Sequence, residues 1–287
     1  MFQVLLFEGI PGSGKTTLAK RVQEYLANNG YSTKIVFEGD IHPIDLAWCS
    51  YMDQETFEEC LEKYPDLQEE ILAKTKKKGD KYITAYTKVR IKDKKDVGFY
   101  QKFSNHEIYK FDDLESFRKI HLNLYSYFNS HCEKDAGYIF ECVLLQNHLN
   151  ELILRYNKSE EYMLEYIQGL LDQLPNIDLQ IIHLEQANVR QKLSHIIEER
   201  TPQTMNIPKK WVELVVDYLE RQPYAKELGY EGEEGVYAYY QDRQEIEKRL
   251  IKQLDANITS FLVEDDYDRV FQQIVDHIEA NWLTKNK

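Results

Sequence analysis

The run Gly9-Ile10-Pro11-Gly12-Ser13-Gly14-Lys15-Thr16, followed by Thr17, fills every fixed position of the pattern G-x-x-x-x-G-K-[ST]. Each residue type in it suits the gripping of a phosphate. Glycines at 12 and 14 let the backbone approach an anion closely and take dihedral angles that other residues resist. The loop amides of Gly12, Ser13 and Gly14, with the positive end of a following helix, make an anion cradle. Lys15 supplies a point charge for β- and γ-phosphates, the Thr16 hydroxyl a ligand for Mg²⁺, and Thr17 a further phosphate contact. A glycine-rich turn without a ligand would need neither the lysine nor the threonines. The expected ligands are a nucleoside triphosphate and Mg²⁺.

Such a loop must be delivered by a strand and received by a helix. Phe2 to Phe7 is a short apolar run that reads as a buried strand; it lacks the basic flank of a leader peptide. Leu18, Val22, Tyr25 and Leu26 then recur at helical spacing up to Asn28-Asn29-Gly30. Four more strands are expected at Thr33 to Phe37, Ala136 to Glu141, Asp178 to Leu184 and Ile258 to Val263. Helices are expected over Leu144 to Leu154, from a Ser159 cap to Leu174, after Gln186, over Trp211 to Gln222, over Tyr239 to Leu254 and over Tyr267 to Trp282. Ahead of the helix at Tyr239, Pro223 to Gly235 reads as a glycine-containing loop. The fold class this predicts is α/β: a three-layer sandwich around a five-stranded parallel sheet, with a helical and hairpin insertion.

The strand ends carry the next candidates, because ligands of open α/β sheets bind outside the carboxyl ends of the strands. Glu38-Gly39-Asp40 closes the second strand, and either Glu38 or Asp40 is a candidate general base or outer-shell Mg²⁺ ligand. Glu141 closes the third strand in a position like that of a carboxylate supporting Mg²⁺. Arg190, Lys192 and Arg200 follow the fourth strand, where phosphoryl transfer needs cations over the migrating group.

The insertion spans 41–135, which leaves 1–40 and 136–287 as the core, with a lid segment at about 186–235. Within it, helices are expected over Gln54 to Lys63 and Asp66 to Lys78. Lys81 to Ile91 alternates as a strand would, placing Tyr86, Lys88 and Arg90 on one face as candidate contacts to an anionic or aromatic substrate. Phe99 to Phe103 is the expected hairpin partner, across a turn from Asp93 to Gly98. Asp112 or Asp113 is set to cap a helix striped by Leu114, Phe117, Ile120, Leu124 and Phe128, on which Arg118 and His121 read as structural.

Composition narrows the partners. A formal net charge of -13 over 287 residues argues against nonspecific nucleic-acid binding. No apolar run is long enough for a bilayer. Four cysteines without C-x-x-C spacing suit free thiols in the cytoplasm, and eight histidines show no metal-ligand pattern. The expected partner is a small-molecule acceptor, with no nucleic acid and no membrane; a homodimer is left open.

Taken together, the loop Gly9 to Thr17, the acids at Glu38-Gly39-Asp40, Phe140-Glu141, Pro175 to Asp178, the stretch Arg190 to Arg200 and Val263 to Asp268 resemble the P-loop kinases of nucleosides, nucleotides and related small molecules. The resemblance covers roughly 150 residues of core. It implies transfer of the γ-phosphoryl of ATP, with Asp40 or Glu38 as base, Arg190 and Arg200 as lid cations beside Lys15, and Glu264 to Asp266 near the adenine. A nucleoside or nucleotide is the leading acceptor; a sugar nucleotide or an antibiotic is next. The other reading of the same residues is an ATPase or switch that works with a protein partner through the insertion.

Overall fold

The computed structural model describes residues 4–91, 98–111, 113–133, 135–199, 211–264 and 266–283. Its packing divides into two compact units, Met1–Ile35 with Glu133–Lys287, and Val36–Cys132.

The first unit is built on a five-stranded parallel sheet. Its strands are β1 (Val4–Gly9), β2 (Thr33–Val36), β6 (Gly137–Glu141), β7 (Leu179–Gln186) and β8 (Ile258–Val263), in the order β2-β6-β1-β7-β8. The central strand β1 pairs in parallel with β6 on one side and β7 on the other. Period-two alternation then sorts the side chains. Leu5, Phe7, Ile139, Ile182, Leu184, Phe261 and Val263 meet the apolar stripes of helix α1 (Lys15–Asn28) and helix α11 (Tyr267–Ile278), namely Leu18, Val22 and Leu26 with Val270, Ile274 and Ile278. Each such fully buried side chain contributes roughly 1.5–3 kcal/mol relative to exposure. The remaining helices are α6 (Gln146–Asn150), α7 (Glu160–Leu171), α8 (Val189–Glu199), α9 (Trp211–Glu220) and α10 (Gly232–Ile251), and α10 packs on α7, α8 and α9.

The five strands lie where the apolar runs predict them. Two helices differ. The one expected over Leu144 to Leu154 is a short α6 continued by a π turn, Glu151–Arg155. The one expected from Tyr239 begins at Gly232 and takes in the end of the predicted loop. Gly235 permits this: a Cβ there would meet the Tyr230 carbonyl carbon at 2.4 Å, so the first turn of α10 folds back on backbone that only glycine allows so close.

The second unit holds an antiparallel sheet in the order β3-β5-β4, formed by β3 (Ser50–Met52), β4 (Thr75–Lys78) and β5 (Lys81–Thr84). Around it lie α2 (Gln54–Lys63), α3 (Gln68–Ala73), α4 (Phe99–Ser104) and α5 (Leu114–His131). Asp53 and Asp113 cap α2 and α5 by accepting from Thr56 N and from Glu115 N and Ser116 N. Asp112 and most of the predicted turn from Asp93 lie outside the described residues.

The hairpin is a correction. Its partner strand is β4, joined through Gly79 at φ 62°, and Phe99–Ser104 is a helix. The strand expected to reach Ile91 stops at Thr84, and Tyr86–Lys88 is a 3-10 turn. The cause is burial. Alternation puts Tyr86 on an outer face, whereas the side chain is 3% exposed and its hydroxyl donates to buried Glu107. Among the described residues no helix is long and apolar enough to cross a membrane.

Candidate phosphate site and acidic turn

β1 runs directly into the loop, and α1 starts at Lys15 with Gly14 as its cap at φ 90°. No side chain caps α1 and its first turn holds no acid, so its amides face an incoming anion without an internal competitor. Gly12 sits at φ 77°. A Cβ on Gly12 would fall 1.6 Å from Ile196 Cδ1 of α8, and one on Gly14 would fall 2.2 Å from Tyr267 Cε1 of α11. Glycine is required at both for conformation and for space. Tyr267 OH donates to Gly12 O at 3.4 Å, and Lys192 Nζ lies 4.9 Å from the Tyr267 ring centroid.

Ser13 is fully buried and its hydroxyl has no hydrogen-bond partner, an orphan polar atom inside the loop. Lys15 is 7% exposed; its ammonium donates to Gly9 O at 2.9 Å, Ile10 O at 2.9 Å and Gln146 Oε1 at 3.0 Å. Thr16 Oγ1 donates to Glu141 Oε2 at 2.7 Å, which joins the loop to the end of β6. Thr17 is exposed in the first turn of α1. A hydroxyl and a carboxylate oxygen side by side are the hard donors that a Mg²⁺ ion takes, so the residues fit that ion. Among the described residues there is no cluster of three or more histidine, cysteine or acidic side chains that could hold a metal.

Behind the loop lies a buried charged chain that periodicity does not announce. A strand covered on both faces reads as continuously apolar, yet β1 carries Glu8 and β7 carries His183, in register and both fully buried. Glu8 accepts from Leu144 N at 2.8 Å and Gln146 N at 3.1 Å. Burial pushes its carboxyl up to about 7, against those two hydrogen bonds and with Glu247 adding to the rise. His183 Nε2 lies 3.1 Å from Glu247 Oε2, and Glu247 pairs with Arg243 Nε at 3.0 Å. Desolvation raises Glu247, but Arg243 and His183 together hold it below the usual carboxylate range. Arg243 also donates to Asn150 Oδ1 at 2.8 Å and to Gly9 O at 3.3 Å, so α10 is bonded to the floor of the phosphate loop.

Arg190, expected over the phosphates, is instead paired with Glu234 of α10 at 2.5 Å, with its guanidinium 4.5 Å from the Tyr237 ring centroid. Arg200 lies outside the described residues, as does Asp265. Asp266 caps α11 by accepting from Arg269 N, and Glu264 lies 3.6 Å from Arg269.

The acidic turn belongs to the second unit. Asp40 Oδ2 accepts from Phe37 N at 3.1 Å, and its Oδ1 lies 3.4 Å from Lys88 Nζ. Glu38 Oε1 accepts from Trp48 Nε1 at 2.9 Å. Trp48 is 45% exposed and held at φ 61°, a strained setting for a bulky residue. Its loop is fixed by buried Asp45, which accepts from Leu46 N, Ala47 N and Tyr109 OH and lies 3.3 Å from His121 Nε2. His121 is therefore part of the scaffold. Of the three residues grouped on one predicted strand face, Lys88 stands beside Asp40, Tyr86 is buried, and Arg90 is exposed with its amide donating to Glu70. The shared face is absent because the strand is.

The loop, the sheet order and the strand-end carboxylate define a phosphate-loop α/β protein. No family model matches the chain, and no curated protein matches it. Among solved structures, it is similar to a shikimate kinase from Acinetobacter baumannii in complex with shikimate, at 13% identity over 99% of this chain and 96% of that one, TM-score 0.41. It is also similar to a thymidylate kinase from Candida albicans, at 15% identity over 98% and 92%, TM-score 0.40. A deoxyadenosine kinase from M. mycoides with bound dATP gives 15% identity over 97% and 100%, TM-score 0.40. Likenesses of this degree add nothing to the sheet order and loop geometry, which define the architecture by themselves.

Proposed function

We propose that the protein is a kinase that transfers the γ-phosphoryl of ATP to a small-molecule acceptor, with a nucleoside or nucleotide as the leading class. The observation that carries this reading is the Thr16–Glu141 pair beside Lys15 at the mouth of an uncapped helix. In it the amides of Gly12, Ser13 and Gly14 cradle the phosphates, with Thr17 adding a contact, and Lys15 neutralises the β- and γ-oxygens. Thr16 and Glu141 are the groups that would hold Mg²⁺, which lowers the charge on the transferring phosphate when bound.

The acceptor oxygen forms its bond to the γ-phosphorus as the bond to the β,γ-bridging oxygen breaks. ADP leaves, and the acceptor proton passes to a carboxylate. Asp40 or Glu38 takes that role. Lys88, beside Asp40, holds that carboxylate in place. Arg190 joins the phosphates only after leaving Glu234, and Arg200 is the second lid cation.

The test is incubation with γ-labelled ATP, Mg²⁺ and a panel of nucleosides, nucleotides, sugar nucleotides and aminoglycosides. Label on an acceptor supports the reading. Release of labelled phosphate with no acceptor labelled under any condition refutes it.

A further inference from the structure

Lys15 does not stand open in its loop. An ammonium has three N–H donors, and all three are engaged: by Gly9 O, by Ile10 O and by Gln146 Oε1. The first two acceptors belong to the loop. The third comes from the first residue of α6, which the turn after β6 delivers; β6 is the strand that ends in Glu141. Gln146 is buried, and its position is fixed from below, because Glu8 accepts its amide and that of Leu144. Glu8 stands immediately before Gly9. The path closes on itself: β1 sets Glu8, Glu8 sets the turn, the turn sets Gln146, and Gln146 sets the lysine of the loop that β1 delivers. The groups facing Glu8 are His183 in register from β7, Glu247 from α10 and Lys15 from α1.

The choice of a neutral amide has a chemical consequence. A carboxylate at this place would pair with Lys15 in a charge-assisted bond about twice as strong, and in a buried setting it would compete directly with phosphate. A carboxamide gives the ammonium an acceptor and leaves its charge uncompensated. We propose that Gln146 is a positioning residue for Lys15, holding the ammonium in the loop before nucleotide arrives and yielding it to a phosphate oxygen on binding, with Glu8 fixing the turn that carries it. This rests on the phosphoryl-transfer reading above.

The experiment compares Gln146→Glu and Gln146→Met with wild type, by calorimetric titration with Mg-ATP. Gln146→Glu is expected to weaken affinity roughly tenfold or more, and Gln146→Met, of the same length and without charge, roughly twofold to fivefold. A merely structural role would make methionine at least as harmful as glutamate. If Gln146→Glu does not fold, a second measurement decides: acetylation of Lys15 in the nucleotide-free protein, read by peptide mass spectrometry. Freed from one of its anchors, Lys15 of Gln146→Met should react several-fold faster than in wild type. Equal affinity in all three proteins, or unchanged acetylation of Lys15, overturns the inference and leaves the kinase reading standing. A wild-type protein with no measurable affinity for any Mg-nucleotide overturns both.

Discussion

Glu8→Gln separates what the carboxylate does for the loop from what it costs the fold. In the native protein burial raises this carboxyl from 4.5 to about 7. The sign follows from proton counting. Between those two values the folded state holds a proton that the unfolded chain has released, so stability falls as pH rises through this window. At about 1.36 kcal/mol for each unit separating the two values, the loss is about 3 kcal/mol by the time Glu8 is fully ionised. The carboxamide of the variant cannot ionise, so this dependence vanishes. The variant also turns an NH₂ group toward the Leu144 or Gln146 amide, a cost that is the same at every pH. The assay is urea unfolding of both proteins, followed by circular dichroism, from about pH 4.5 to about pH 8. The stability of the variant relative to wild type should climb by about 3 kcal/mol across that range. Two parallel curves would mean that the two backbone hydrogen bonds offset the burial of the charge, and the reasoning would fail. The difference between proteins is needed because His42 hides the effect in wild type. Burial lowers His42 from 6.5 to about 4, so its contribution is present above the upper value and lost as pH falls through the lower. Between about 4.5 and 6.5 the two slopes oppose each other and nearly cancel.

Three further outcomes follow from single contacts. His42→Asn should remove the acid-side loss, so that the variant gains on wild type by about 3 kcal/mol as pH falls from about 6.5 to about 4, measured in the same unfolding assay. Gly12→Ala imposes a left-handed backbone worth roughly 1–2 kcal/mol and drives a methyl into Ile196; thermal unfolding should shift down, and Mg-ATP affinity should fall below detection by calorimetry. Glu141→Gln keeps a hydrogen bond to Thr16 but removes the charge. The apparent Mg²⁺ requirement for nucleotide binding should rise roughly 10–100-fold, read by titrating the metal at fixed ATP; an unchanged requirement would remove Glu141 from the metal.

The five core strands were legible because each carries apolar residues and ends in a turn or a loop signal, and burial on both faces makes that pattern strongest in β1 and β6. The phosphate loop was legible because its fixed residues lie next to each other. What resisted reading was the second unit. The alternation from Lys81 to Ile91 fits a strand, yet Tyr86 folds inward to meet Glu107, a partner 21 residues away that no local pattern reveals. Arg190 was legible as a cation after β7 but not as the partner of Glu234, 44 residues on. Trp48 gave no signal: its exposure and positive φ come from a loop gathered around Asp45.

Glu8 was within reach of the sequence. An acid between Phe7 and Gly9 interrupts an apolar strand directly before the loop proposed to bind an anion, and a carboxylate there would oppose such a ligand. Local rules fail most where function sets the residue, and the structure shows how the conflict is contained. Glu8 is directed away from the loop amides, into backbone donors of the turn after β6, and Arg243 on α10 holds the Gly9 carbonyl on the same side. His183, in register one strand over, repeats the pattern by engaging Glu247. Two polar residues at matching positions of adjacent buried strands mark a hydrogen-bonded polar layer beneath the phosphate loop. Such a layer costs stability, and it orients the lysine more firmly than an apolar core could, because its hydrogen bonds have direction and packing alone does not.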